Sequence, residues 1–291
     1  MIHSMTGYAA ASRDLGSAVL NLEIKSVNSR YLDIAFRLSE ELRVLEMPLR
    51  ETIAGRIGRG KVECRGYLQA QPAQGNAARR RAPDPGLLAE LGRLDAAVRS
   101  VLPQAAPLSV AEVLRWPGVL AEDSLTAEQL QAAAQELFAT LLDDFVASRA
   151  REGAKLADVL RERAARMRER VQATEPLLPV ALASYRERLA AKLREAVANL
   201  DEERIRQEVG VFAAKIDVAE EIARLVTHMD ELDRVLKRGG AVGKRLDFLM
   251  QELNREANTL SSKSVSGEVT AIALELKLLI EQMREQVQNL E

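Results

Sequence analysis

Two segments of the sequence carry side chains that could hold a divalent metal ion. Glu221 and His228 lie seven residues apart in one segment, and Glu252 and Glu256 lie four residues apart in the other. Either spacing places both members of a pair on one side of an α-helix. Carboxylate oxygens and an imidazole nitrogen suit Mn²⁺ or Mg²⁺ better than a thiolate zinc site would. We therefore predict that all four residues are metal ligands and catalytic residues if the helices pack together, with the ion activating a water molecule for attack on a phosphodiester.

The second of these segments, residues 245–264, reads RLDFLMQELNREANTLSSKS. Its leucines recur at three- and four-residue steps, which predicts an amphipathic helix. Many of its polar residues are Asn, Ser and Thr, which are weak helix formers and would not be favoured on a helix that only had to remain soluble. We predict that cations of the two helices neutralise phosphate and that the asparagines hydrogen-bond ribose or base: Arg224, Arg245, Lys263, Asn254 and Asn258.

A structural role for these residues is the main alternative. Glu and Arg at helical spacing usually form surface ion pairs that contribute little, and a single His beside an apolar face is more often a hydrogen-bonded structural residue. A metal-free ribonuclease reaction would need an acid and a base, and His3 and His228 would have to meet across the fold. The sequence has no nucleotide-binding glycine loop and no G-x-S-x-G nucleophile motif. Cys64, the single cysteine, lies within a predicted strand and is expected to be filler.

Composition restricts the classes of partner. The 41 basic and 43 acidic residues nearly balance, which predicts no general attraction to phosphate backbones. Aromatic residues make up 3% of the chain, which argues against an aromatic stacking platform for single-stranded nucleic acid. One cysteine indicates a reducing compartment, and neither a signal peptide nor a run of about 18 apolar residues is visible. We expect a cytoplasmic protein with no membrane span.

The first 70 residues are predicted to form a small β-β-β-α-β unit. Apolar and polar residues alternate over 19–27 and again over 30–38, so two strands are expected with a hairpin at Ser26–Arg30 between them. The pattern changes to helical spacing over 39–57, with Ser39 as the N-cap, and returns to a strand over 60–69.

The rest of the chain is predicted to be helical, so the fold class is α+β. Residues 70–86 form a break whose Arg79–Arg81 run is expected to be a solvated loop. The last predicted helix carries an apolar seam typical of helix packing within a chain or between subunits, which suggests an oligomer. The predicted helices span roughly 126–171, 178–208, 215–237, 245–264 and 267–290, and the predicted domains are 1–155 (β-rich over 1–70, helical over 86–155), the connecting helices 156–208, and a helical domain 209–291.

Seven segments carry a resemblance to a known family. They read SMTGY, KSVNSRYLDI, RGKVE, LRWPGV, KIDVAEEIARL, GKRLDFLMQELNREANTLSSKS and ELKLLIEQMREQVQNLE, and they run in the same order from the first residues to residue 291. On these segments the chain resembles the YicC family of bacterial stress-associated endoribonucleases over its whole length. Residues 70–110 depart most from the family pattern.

The resemblance implies a cytoplasmic, divalent-metal-dependent endoribonuclease that acts on RNA, including small regulatory RNAs. It also implies a ring-like homo-oligomer, a hexamer, that encloses the RNA. With the family in view, Asp217 and Glu220 are reserve ligands, and Arg30, Arg59 and Lys61 are predicted to contact phosphate because they lie in loops of a rigid scaffold. The alternatives are a non-catalytic RNA-binding adaptor that delivers RNA to another nuclease, and a purely structural helical scaffold.

Overall fold

The computed structural model describes residues 1–16, 18–70, 83–120, 126–196 and 202–291. It is an α+β protein with one small sheet near the N-terminus and a mostly helical remainder, as predicted. The predicted Arg79–Arg81 loop lies outside the described residues. The elements are β1 (Gly7–Asp14), β2 (Ala18–Val27), β3 (Leu32–Leu38), a 3₁₀ turn (Glu40–Leu45), α1 (Glu46–Ala54), β4 (Gly60–Ala70), α2 (Pro85–Val101), α3 (Val110–Arg115), α4 (Ala127–Thr174), α5 (Leu177–Ala196), α6 (Glu202–Lys215), α7 (Ala219–Arg238), α8 (Gly243–Lys263) and α9 (Gly267–Val287).

The sheet has the strand order β1-β2-β4-β3, which corrects one sequence prediction. β4 lies between β2 and β3, antiparallel to β2 and parallel to β3, so Ser26–Arg30 is not the turn of a hairpin. The hairpin joins β1 and β2 instead. Alternation predicts which face a strand buries but says nothing of its neighbour in the sheet. The 3₁₀ turn and α1 form the crossover that a parallel pair requires.

One face of the sheet packs on α1 and on the first half of α4 to form the first of two cores. Leu20, Ile24 and Val62 are fully buried there, and Phe138 and Phe145 of α4 fill the space against them. Cys64 lies in the same core, where burial raises the pKa of its thiol to about 12. This burial fits the predicted role of Cys64 as filler, because a thiol that stays protonated is a poor nucleophile.

The long helix α4 belongs to both cores. It begins with a capping box between Thr126 and Gln129 and continues for 48 residues, about 72 Å at 1.5 Å per residue. Its second half, with Leu160 and Met167, packs into the second core together with α7, α8 and α9. A single helix therefore fixes the sheet relative to the helices of the C-terminal half.

The predicted helix over 178–208 is two helices rather than one. Arg194 at the end of α5 forms an ion pair of 2.8 Å with Glu202 at the start of α6. Residues eight positions apart on one continuous helix would lie about 12 Å apart along its axis. The close contact shows that α5 and α6 are not parts of one straight helix, which helical spacing alone did not reveal.

The apolar seam predicted on the last helix is used within the chain. Val269, Leu276, Met283 and Val287 are buried in the second core, where α9 packs against α8 and α4. The seam therefore provides no separate argument for an oligomer. Oligomerisation stays a prediction that rests on other observations.

The two cores meet at a junction built around Arg149 of α4, whose side chain is 2% exposed. Its guanidinium donates to Glu291 Oε2 at 2.5 Å and to the backbone oxygen of Ser4 at 2.6 Å. Gly153 follows one turn later, and a Cβ at this position would lie 2.3 Å from the backbone oxygen of Ile2. Burial and the neighbouring Arg149 lower the pKa of His3 at this junction.

Candidate metal centre

Helices α7 and α8 pack against each other in opposite directions. Lys263 near the end of α8 contacts Glu221 near the start of α7, and Arg245 near the start of α8 contacts Glu231 further along α7. Most of the side chains on their apolar faces, Leu225 of α7 among them, are buried in the second core. Because each polar residue sits beside an apolar face, the packing brings the polar flanks of both helices together.

Three of the four predicted ligands meet on this flank. One ligand atom each of His228, Glu252 and Glu256 lies within 4.8 Å of the others, a geometry that could hold one metal ion. Glu256 is 3% exposed, whereas His228 and Glu252 are half-buried. We refer to these three side chains as the metal group.

The fourth predicted ligand, Glu221, lies outside the metal group and has a different partner. Its Oε1 accepts a hydrogen bond from Lys263 Nζ at 2.8 Å, and its Oε2 is buried without a hydrogen-bond partner in the described part of the chain. Lys263 also donates to the backbone oxygen of Asp217. The hydrogen bond to Glu221 raises the pKa of Lys263. The sequence predicted that Lys263 contacts phosphate. In the structure its ammonium group donates a hydrogen bond to the buried Glu221 carboxylate.

Arg224 links the metal group to the solvent side of α7. Its guanidinium contacts Glu256 Oε1 at 3.4 Å and pairs with Glu220 on the preceding turn. The charge of Glu220 and the hydrogen bond to Glu256 raise the pKa of Arg224. Because half of its side chain is exposed, Arg224 can meet a phosphate beside the metal group.

The donor set fits a hard divalent cation. Two carboxylates and one imidazole are ligands that Mn²⁺ accepts, and carboxylates also suit Mg²⁺. Within the described part of the chain, the ion-pair contact of the buried Glu256 carboxylate is the one with Arg224 at 3.4 Å, and a buried charge with so little compensation is costly. A cation between His228, Glu252 and Glu256 would offset that cost. The residues present therefore fit the metal that the sequence predicts.

The other predicted nucleic-acid contacts lie apart from the metal group. Asn254 and Asn258 are each two residues from a metal-group glutamate, or about 200° around α8, so they lie on the opposite flank. Arg245 pairs with Glu231 at 3.2 Å and lies over the ring of Phe248. Glu231 was not identified from the sequence, because its role depends on the offset between two helices.

The predicted phosphate contacts of the N-terminal half lie on the sheet module. Arg30 and Lys61 are exposed, and Arg59 donates from Nε to the backbone oxygen of Arg30 at 3.2 Å. Arg30 also lies over the ring of Tyr31. These three cations cluster at one end of the sheet, which is consistent with the predicted phosphate contact.

The two histidines do not form an acid–base pair in the described part of the chain. The charges that act on His3 are those of Arg149, Glu291 and the N-terminus, whereas His228 lies beside Glu252 and Glu256. The metal-free alternative therefore has no geometric support.

Lys263→Met should produce a loss of stability that depends on pH. In the unchanged protein the pKa of Lys263 is raised, so the contribution of its pair with Glu221 is complete below the ordinary lysine pKa and is lost as the pH rises through the raised value. The variant lacks this pair and leaves the Glu221 carboxylate buried without its cation. We expect a lower Tm at neutral pH, with the deficit shrinking as the pH rises above 10.5, the ordinary pKa of lysine. Thermal melts from neutral pH to values above 10.5 would measure it.

The control for that experiment is Lys244→Met, which removes an exposed lysine near the start of the same helix. Its Tm relative to the unchanged protein should hardly vary with pH. A deficit of Lys263→Met that is the same at neutral pH and at pH values well above 10.5 would contradict the contribution of the Lys263–Glu221 pair.

Comparison with known proteins identifies the class and then the family. Residues 2–158 match the family model described as endoribonuclease YicC-like, N-terminal region, and residues 174–291 match the one described as endoribonuclease YicC-like, C-terminal. These matches define the chain as an endoribonuclease. More particularly, it belongs to the YicC-like family, as its sequence motifs predicted.

Two relatives cover the whole chain and are themselves covered in full. A protein of Haemophilus influenzae named probable endoribonuclease YicC is 44% identical over 299 residues. A protein of Clostridioides difficile with the same name is 28% identical over 300 residues. Among the described residues, no helix is both long enough and apolar enough to cross a membrane.

Proposed function

We propose that the protein is a metal-dependent endoribonuclease that cuts RNA chains internally, with small regulatory RNAs among its substrates. The observation that carries the metal dependence is the convergence of His228, Glu252 and Glu256 within 4.8 Å beside the cation Arg224. The family gives RNA as the substrate, and these residues offer the chemistry that phosphodiester hydrolysis requires. The proposed location is the cytoplasm.

Each of these residues has a separate role in the proposed hydrolysis. His228, Glu252 and Glu256 would hold Mn²⁺ or Mg²⁺, which supplies Lewis-acid polarisation of the phosphate and a more acidic water. Arg224 neutralises a phosphate oxygen next to the metal group, where transition-state charge develops. Glu221 holds Lys263 in place, and this second cation orients the neighbouring stretch of RNA backbone. In our proposal Glu221 supports the site through Lys263 and is a metal ligand only if that pair opens.

A homo-oligomeric ring, a hexamer, belongs to the same proposal. Leu274 and Leu278 on the outer face of α9 are 55% and 60% exposed. Val101 and Val110 in the α2–α3 region are 77% and 75% exposed, and Trp116 is also exposed. Exposed apolar side chains in such groups are typical of surfaces that other chains cover. They support an assembly of several copies around the RNA.

The test is cleavage of an end-labelled RNA by the purified protein in Mn²⁺, in Mg²⁺ and in excess EDTA. Internal cuts that appear with a metal ion and disappear with EDTA support the proposal. RNA that is bound but never cut would favour the alternative, a non-catalytic adaptor that delivers RNA to another nuclease. An adaptor would use Arg224 and Lys263 but would have no use for the carboxylates of the metal group.

A further inference from the structure

A cavity of about 330 Å³ lies just beyond the end of α8. It is lined by α5, by α6 and the segment that joins α6 to α7, and by the segment that leads from α8 into the start of α9. Its walls are formed mainly by apolar side chains such as Leu182, Ala213 and Val265, while Asp217 and Arg186 supply polar groups. This volume and this mixture of apolar walls with a few polar groups are typical of small-ligand sites.

Two cations connect the metal group with the cavity, one in contact with each. Arg224 contacts Glu256 of the metal group, and Lys263 contacts the backbone oxygen of Asp217, which lines the cavity. Along α8, the step from Glu256 to Ser264 at the cavity is eight residues, about 12 Å. A sugar–phosphate chain that passed over the two cations would therefore reach from the metal group to the cavity within a few nucleotides.

The polar groups of the cavity match the chemistry of a nucleobase. The Asp217 carboxylate accepts a hydrogen bond from the Ala219 backbone N–H at one oxygen, which holds it in place and leaves acceptor capacity for an exocyclic amine. Arg186 is exposed and has no ion-pair partner among the described residues, so it is available for a phosphate or a base edge. Apolar walls would cover the faces of the base.

We propose that this cavity, the base pocket, receives one unstacked base of the RNA a few nucleotides from the cleaved phosphate. The inference rests on the proposed function, because it needs RNA at the metal group. It adds a recognition site that would make cleavage depend on the base at one position. Sequence-specific recognition of RNA commonly uses single-stranded bases that leave the stack and enter such pockets.

Gly210 is a position from which a larger side chain can be introduced at the base pocket. It lies on α6 and lines the cavity, and a Cβ at this position would meet no atom within 4 Å. Gly210→Phe adds a ring at the wall of the cavity, and Gly92→Phe is the matched control, which makes the same change at an exposed glycine of α2 where a Cβ also meets no atom within 4 Å. Both substitutions favour the helix over glycine. Ala181→Leu on the facing helix α5 is a second filling variant should the phenylalanine prevent folding.

The experiment measures single-turnover cleavage, with Mn²⁺, of a series of short single-stranded RNAs that each carry one abasic residue. With the wild type, an abasic residue at one position near the cut should slow cleavage about tenfold. Gly210→Phe should slow cleavage of the intact RNA by a similar factor and show no further loss with the abasic RNA. Gly92→Phe should behave as the wild type.

The outcomes separate this inference from the proposed function. Equal cleavage rates for all abasic RNAs by the wild type would overturn the base pocket and leave the nuclease proposal intact. The same is true of a Gly210→Phe or Ala181→Leu variant that keeps both the full rate and the sensitivity to the abasic position. A wild type that cleaves no RNA with any metal would contradict the proposed function, and the base pocket would fall with it.

Discussion

Replacement of Glu252 and Glu256 together by glutamine should reduce metal-dependent RNA cleavage by roughly a thousandfold or more. The change keeps the size of both side chains and removes two of the three ligand groups that lie within 4.8 Å of one another. A divalent ion contributes several kcal/mol to the transition state of phosphodiester hydrolysis, and each 1.36 kcal/mol corresponds to about a factor of ten in rate. Single-turnover cleavage of a labelled RNA in Mn²⁺ would measure the loss.

Binding of RNA should survive in the same variant. The variant keeps Arg224 and Lys263 and the cations at the end of the sheet, which are Arg30, Arg59 and Lys61. Contacts to phosphate dominate the affinity of proteins for nucleic acids. Glu285→Gln on the exposed side of α9 is the matched control, since it removes a carboxylate far along another helix and should cleave as the wild type does. A double variant that folds, binds RNA and still cuts at the normal rate would move the active site away from the metal group.

Glu291→Gln should lower the free energy of unfolding by about 3 kcal/mol. Arg149 is 2% exposed, and among the described residues its ion-pair partner is Glu291, at the junction of the two cores. Breaking a buried ion pair on one side leaves the other charge uncompensated, which typically costs about 3–5 kcal/mol. Urea unfolding at neutral pH would measure the change.

Two comparisons make this result specific. Asp158→Asn breaks an exposed pair with Arg161 on the same long helix and should cost less than about 1 kcal/mol. Arg149→Met combined with Glu291→Gln should lose less than the sum of the two single changes, because no buried charge remains. If Asp158→Asn and Glu291→Gln lower the free energy of unfolding by the same amount, burial does not determine the contribution of the Arg149–Glu291 pair.

The sequence predicted the C-terminal helices well because their apolar residues follow the helical period over several turns. The prediction of 245–264 compares with Gly243–Lys263 in the structure, and 267–290 compares with Gly267–Val287. The order of the strands was not predictable in the same way. Alternation defines the buried face of β2 and β3 but cannot reveal that β4 lies between them.

For the candidate site too, the sequence predicted which residues share a face of one helix but not how two helices lie relative to each other. Helical spacing showed correctly that Glu221 and His228 share one flank of α7. It could not give the axial offset between α7 and α8, and that offset places His228 beside Glu252 and Glu256 but Glu221 beside Lys263. The base pocket could not be predicted for a related reason, since its walls come from three separate stretches of the chain.

The continuous course of α4 has a consequence for any attempt to divide this protein. The N-terminal family model ends at residue 158 and the C-terminal model begins at residue 174, and both positions fall inside Ala127–Thr174. Dividing the protein between these two positions would break α4 and expose the apolar side of each fragment to water. The two halves that sequence comparison distinguishes therefore share one continuous helix. A displacement of the sheet is transmitted through α4 to the helices that carry the metal group.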